Sequence, residues 1–139
     1  MIFKKFENKY LLRIDRGEEV VATLKKFCTD HHITLGSVTA IGAANRATIG
    51  LFNTETKKYK STELTGDFEI TSLTGNISTM NGDTYLHLHA ALSDADYHTF
   101  GGHLNAAVIS GTCELIIDVI DGACDRKFSD IVGLNLLKP

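Results

Sequence analysis

The sequence predicts an α+β domain in which one principal helix packs on a largely antiparallel sheet. Three observations carry that prediction. Apolar residues recur at helical spacing in one segment, where Val21, Leu24, Phe27 and Cys28 share a face. From Leu35 onward the chain falls into short runs rich in Ile, Val, Thr and Leu, separated by residues that favour turns. The only proline is Pro139, so no strand is interrupted by a residue without a backbone donor.

Taken in order, Phe3, Phe6, Tyr10, Leu12 and Ile14 alternate with charged residues and suggest one or two strands over 3–14, with a polar turn at Glu7-Asn8-Lys9. Gly17 punctuates the chain before the helix, expected over residues 18–31. Glu18 and Glu19 fall in its first turn, where the helix dipole favours acids, and Lys25 and Lys26 lie toward its other end. Asp30-His31-His32 terminates it. Strands are expected at 35–40, 47–53, 59–64, 69–80, 84–92, 104–109 and 113–120. Turn signals separate them at Gly42, Asn53 to Thr56, Gly66-Asp67, Asn81-Gly82-Asp83, Gly101-Gly102, Gly111 and Asp121-Gly122. Asn81-Gly82 is the strongest hairpin signal. A short helix is expected to start near Ser129, with Ser129-Asp130 as its cap. No repeat or linker interrupts the 139 residues, which read as a single domain over 1–139. That length buries a full core without disulfides or a structural metal.

Composition excludes several functions. A net charge of −3 argues against nucleic-acid binding by bulk charge alone. No apolar run approaches the roughly 18 residues of a membrane span, and the N-terminus lacks the apolar core of a signal peptide, so the expected location is the cytoplasm. Cys28, Cys113 and Cys124 form no CxxC pair and read as small core hydrophobes. No P-loop, G-x-S-x-G or H-E-x-x-H pattern occurs. Lys57, Lys58 and Lys60 read as a solvated hairpin, or as a weak nucleic-acid patch made effective only by multivalency. The charge is also uneven. Residues 61–125 carry acids from Glu63 to Asp125, no Lys or Arg, and four of the six histidines: His87, His89, His98 and His103. Such a stretch repels phosphate and favours cations.

Two motifs stand out within it. The first is Gly66-Asp67-Phe68-Glu69-Ile70-Thr71-Ser72-Leu73-Thr74-Gly75. The second is Leu86-His87-Leu88-His89-Ala90-Ala91-Leu92-Ser93-Asp94, followed by Gly101-Gly102-His103-Leu104. With Gly17-Glu18-Glu19-Val20 before the helix, they resemble the plants-and-prokaryotes-conserved (PPC) domain, and most closely a stand-alone prokaryotic member. The resemblance spans nearly the whole chain. It implies a mainly antiparallel sheet with one helix, assembled as a homotrimer. In plants the domain occurs in AT-hook nuclear proteins, where it mediates self-association and contacts with transcription factors. The resemblance therefore implies a DNA-associated or transcription-related binding module, with DNA or a transcription-related protein as partner and no membrane. Two departures weaken direct DNA binding: no Arg-Gly-Arg core is present, and Asp67 stands where the plant pattern has Arg. A trimer or partner surface would include Gly66, Phe68, Glu69, Ile70, Leu73 and Gly75; ordinary core packing is the alternative reading of the apolar residues.

The histidines support an alternative function, a metal-dependent small-molecule enzyme or ligand binder. On a strand, His87 and His89 point to one face and Leu86, Leu88 and Ala90 to the other. Two imidazoles on one face can share a metal ion, and Gly101-Gly102 gives His103 a backbone able to approach another strand. Neutral imidazoles suit zinc, and three of them leave one position open. The competing reading makes them polar residues on a solvated or subunit-facing surface. Glu69 is a candidate second-shell or proton-transfer group, or else an interface hydrogen-bonding residue. Asp94 and Asp96 read as loop acids, His98 as a surface residue, and His31 and His32 as helix terminators. No catalytic residue can be named from the sequence.

Overall fold

A computed structural model describes residues 1–139. Strands β1 (Ile2–Phe6) and β2 (Lys9–Asp15) form the expected N-terminal hairpin, with Glu7 at φ +48° in its turn. Helix α1 spans Val20–Asp30 and buries Val20, Leu24, Phe27 and Cys28. The two glutamates lie outside it. Glu19 is the N-cap: its carboxylate accepts from the backbone N–H groups of Val21 and Ala22 at 2.9 and 2.7 Å. It thereby satisfies donors that have no partner within the helix. The same carboxylate accepts from the Ala107 N–H at 2.9 Å, which ties the helix start to the sheet. His31 is the C-cap, and its ring packs on Phe3, Tyr10 and Phe27.

The remaining strands are β3 (Gly36–Asn53), β4 (Lys58–Met80), β5 (Asp83–Ser93), β6 (Thr99–Val119), β7 (Asp125–Ser129) and β8 (Leu134–Lys138). Three of them fuse pairs of runs that the sequence separates. Gly42, Gly66-Asp67, Gly101-Gly102 and Gly111 are not turns; the chain continues through them as strand. At Gly42 the register of β3 slips against both β4 and β6. Such a bulge bends and twists a strand without ending it. Asn81-Gly82 does turn the chain, with φ of +54° and +86°, and joins Met80 to its register partner Asp83. Positive φ at both central residues gives the twist that two-residue hairpins need.

The sheet order is β1-β2-β6-β3-β4-β7-β8, and β5 pairs with both β4 and β6. Because β3 also pairs with β4 and β6, these four strands form a closed circuit. All pairings are antiparallel except one parallel bridge, Thr79 to Asp125, between β4 and β7. The core runs from Leu12 and Ile14 through Val38, Leu73 and Leu88 to Leu115 and Ile117, and α1 closes it over β5 and β6. The fold is thus mostly antiparallel sheet with a single helix, so the α+β label fits only in part. The helix expected near Ser129 is absent. The Gly133 N–H donates to the Ser129 carbonyl at 2.6 Å and the Val132 N–H to the Ser129 hydroxyl at 3.3 Å. One turn results, and Gly133 at φ +84° sends the chain back as β8. No helix is long and apolar enough to cross a membrane.

Candidate metal centre

Strand β5 is half core and half site. Leu88 and Ala90 are buried and Leu86 packs against the core, so the alternation of the strand directs His87 and His89 to the opposite face. His103, on β6, is the register partner of His89 on one side and of Gly50 on the other. Gly102 makes that junction feasible. A Cβ there would lie 2.7 Å from the Gly50 carbonyl oxygen, so any larger residue would push β6 away from β3.

The three rings converge. Their centroids are 5.1 Å apart for His87 and His89, 5.4 Å for His87 and His103, and 5.7 Å for His89 and His103. One nitrogen from each lies within 4.8 Å of the others. A tetrahedral zinc with bonds of about 2.0–2.1 Å needs nitrogens roughly 3.4 Å apart, which side-chain rotation can supply. His87 and His103 are half-buried and His89 is exposed. Burial pushes the pKa of His87 below the usual histidine value, and positive charge on His89, Arg126 and His103 lowers it further. Burial likewise lowers His103, with His89 as the second cause. Both effects favour the neutral imidazole, the form that binds metal. The donor set therefore fits zinc, and three protein ligands leave a position open for an exogenous group.

The histidines sit in a cavity of about 630 Å³. Leu51 and Phe52 of β3, Tyr59 and Asn76 of β4, Tyr85 of β5 and Leu134 to Leu137 of β8 form its walls. Tyr59 lies over Gly50, where any Cβ would collide with its ring, and its hydroxyl donates to the Asn105 side-chain oxygen Oδ1 at 2.6 Å. Arg126 of β7, which no motif in the sequence singles out, lines the same cavity. Its Nε donates to the Ser78 hydroxyl at 2.8 Å, Nη1 to the Asn135 carbonyl at 2.8 Å and Nη2 to the Asn76 side-chain oxygen at 2.7 Å. Its guanidinium stacks 4.6 Å from the centre of the Tyr85 ring. The one hint in the sequence is its position as the first basic residue after the acidic stretch.

Other anticipated residues lie elsewhere. Glu69 is exposed and does not line the cavity. It precedes Thr74, the register partner of His89, by five residues, about 16 Å along β4. Within one chain it therefore cannot act on the three-histidine cluster. Phe68, Ile70 and Leu73 are buried in the core of the chain itself, whereas Gly66 is exposed. Gly75 packs against the His87 backbone carbonyl. Asp94, Asp96 and His98 form a second group of three ligand-type side chains within 4.8 Å. There, however, Asp94 Oδ1 accepts from the Asp96 and His98 backbone N–H groups at 3.0 and 2.9 Å, as loop acids do. Cys28 and Cys113 are buried thiols pushed up to about 12 and about 11 by desolvation, as expected of inert core cysteines, whereas Cys124 is only partly buried and is not a core residue.

A sheet-dominated domain with one helix thus carries a three-imidazole cluster at the wall of a cavity. The chain belongs to the Plants and Prokaryotes Conserved domain family, whose sequence model matches residues 1–121. A Bacteroides thetaiotaomicron structure, provisionally named a DNA-binding protein, is 36% identical with a TM-score of 0.96 and covers 99% of this chain and 96% of its own. A metal-containing protein from Archaeoglobus fulgidus is 31% identical with a TM-score of 0.88, covering 100% of this chain and 99% of its own. The bifunctional protein GlmU of a Synechococcus strain is 31% identical over 110 residues, which are 78% of this chain and 16% of that protein. The chain thus spans about a sixth of the length of that curated relative.

Proposed function

We propose that this PPC-domain protein holds one divalent metal ion, zinc by donor chemistry, on His87, His89 and His103, and binds a small molecule at the open coordination position. The observation that carries this reading is the convergence of three imidazole nitrogens within 4.8 Å at the wall of a 630 Å³ cavity. The metal-containing relative from Archaeoglobus supports it. Bound metal would supply a Lewis acid at that position. The chain's own part is to keep two imidazoles neutral by burial and to surround the position with apolar walls and Tyr59. Elemental analysis of wild type beside His89→Ala tests it: one equivalent of metal in the first and almost none in the second is expected, and equal content in both refutes it.

A second reading, a homotrimeric DNA-associated module, is favoured by the name given to the Bacteroides relative and by family membership. The net charge of −3 and the acidic stretch oppose phosphate contact by a single chain, so DNA association would go through a partner or the assembled trimer. Gly66 and Glu69 are exposed members of the β4 motif, with Asp67, Thr71, Ser72 and Thr74, and are open to such contact. Sedimentation gives the oligomeric state, with a clean monomer contradicting the trimer. Mobility shift with an AT-rich duplex, repeated across salt concentrations, tests DNA association. A shift that weakens steeply with salt is expected for phosphate contact, and no shift at low salt excludes direct binding.

A further inference from the structure

We propose that Arg126 is the anion-binding group of the cavity, and that the cavity takes a small organic acid with its carboxylate on Arg126 and a second oxygen donor at the metal. The second half rests on the three-histidine metal reading; the first rests on Arg126 itself. Arg126 is only 7% exposed, and no carboxylate pairs with it. Arginine is rarely buried so deeply unless paired, because an uncompensated buried charge is costly. Its three hydrogen-bond partners are a hydroxyl, a backbone carbonyl and an amide oxygen, all neutral. They orient the guanidinium without cancelling its charge.

Three of the five guanidinium N–H groups are thereby used, which leaves one on each terminal nitrogen. A carboxylate can accept from two such donors at once. Asn76, which Arg126 contacts, is the register partner of His87, so the cation and the imidazole cluster are neighbours on one wall. No Asp or Glu lines the cavity, although acids crowd the surrounding sequence. A ligand carboxylate would supply the missing counter-charge. Apolar walls from Leu51, Phe52, Leu134, Leu136 and Leu137 suit a carbon skeleton, which an organic carboxylate has and inorganic phosphate lacks.

The experiment is calorimetric titration of the zinc-loaded protein with succinate, with succinamide, which has the same shape and no charge, and with inorganic phosphate. Wild type, Arg126→Gln and Arg126→Lys are compared, with zinc content measured in each. Succinate is expected to bind wild type at least about tenfold more tightly than succinamide or phosphate, the scale of a lost charge-assisted hydrogen bond. Arg126→Gln should lose about tenfold or more at unchanged zinc content, and Arg126→Lys should fall between. Equal succinate affinity in wild type and Arg126→Gln, or no succinate binding to zinc-loaded wild type, overturns the proposal. Tighter binding of phosphate overturns the carboxylate assignment. Should Arg126→Gln not fold, Arg126→Lys and the succinate–succinamide difference in wild type decide. Should wild type take up no zinc, the metal reading fails separately. The Arg126 assignment is then tested in metal-free protein, where succinate should raise the melting temperature of wild type and leave Arg126→Lys less affected; no rise overturns it.

Discussion

Two clusters in this molecule each gather three ligand-type side chains within 4.8 Å, and they differ in how their donor atoms are used. Asp94, Asp96 and His98 lie four residues apart at most, on one exposed turn, and the Asp94 carboxylate is engaged by the backbone N–H groups of that turn. His87, His89 and His103 come from two strands and share the wall of a cavity, and burial lowers the pKa of two of them. None of the three rings makes a hydrogen bond to another protein group, so their nitrogens remain available. Proximity alone is therefore a weak criterion. What distinguishes the second cluster is that the fold brings its members together from distant strands and leaves their donor atoms unused.

The contrast can be broken most forcefully by removing one imidazole. His89→Ala is expected to weaken zinc binding by at least ~100-fold, more than loss of an outer-sphere partner costs, whereas Asp94→Asn leaves zinc affinity unchanged; competition with a chromogenic chelator measures both. Next comes linkage to stability. Zinc at about one hundred times its dissociation constant should add ~2.7 kcal/mol to wild type and raise its melting temperature by about 5–10 °C. It should raise that of His98→Ala equally and that of His89→Ala hardly at all. A thermal melt of the three proteins, with and without zinc, decides.

A smaller effect is expected from pH. In zinc-free protein the pKa values of His87 and His103 lie below their ordinary 6.5. Between the folded and unfolded pKa values the unfolded chain binds more protons, so stability rises with pH there. The contribution is fully present above about pH 6.5 and is lost as pH falls through the lower, folded values. Urea denaturation across pH 5–8 should show this slope in wild type and a shallower one in His87→Gln. An unchanged slope would remove the electrostatic distinction between the clusters. Smallest is the cost of the turn itself. Asp94→Ala deletes two carboxylate hydrogen bonds at a partly exposed site and should destabilise by about 1 kcal/mol, read by the same denaturation, without altering metal content.

The part of the site legible in the sequence is the part that depends on local periodicity. His87 and His89 share a face because Leu86, Leu88 and Ala90 occupy the other, and a period of two is visible in five residues. The Asn81-Gly82 hairpin was legible because its backbone demands those residue types. Gly101-Gly102 was correctly tied to close approach by His103, yet it also reads as a turn, and so do Gly42 and Gly111. A glycine that admits a neighbouring backbone and one that reverses the chain look alike until the pairing is known. That ambiguity split β3, β4 and β6 into halves. Ser129 misled for a related reason: a hydroxyl that caps one turn resembles one that starts a helix. Arg126 was illegible because its burial arises from a single parallel bridge, Thr79 to Asp125, between strands far apart in sequence. The acidic stretch points to a cation at the working surface; the structure adds a fixed arginine cation of the chain's own beside it.

The most direct test of the account is anomalous diffraction at the zinc edge from crystals of the zinc-loaded protein. One peak is expected, about 2.0–2.1 Å from a nitrogen of each of His87, His89 and His103. A peak at Asp94, Asp96 and His98 instead, or none at the three histidines, would contradict it.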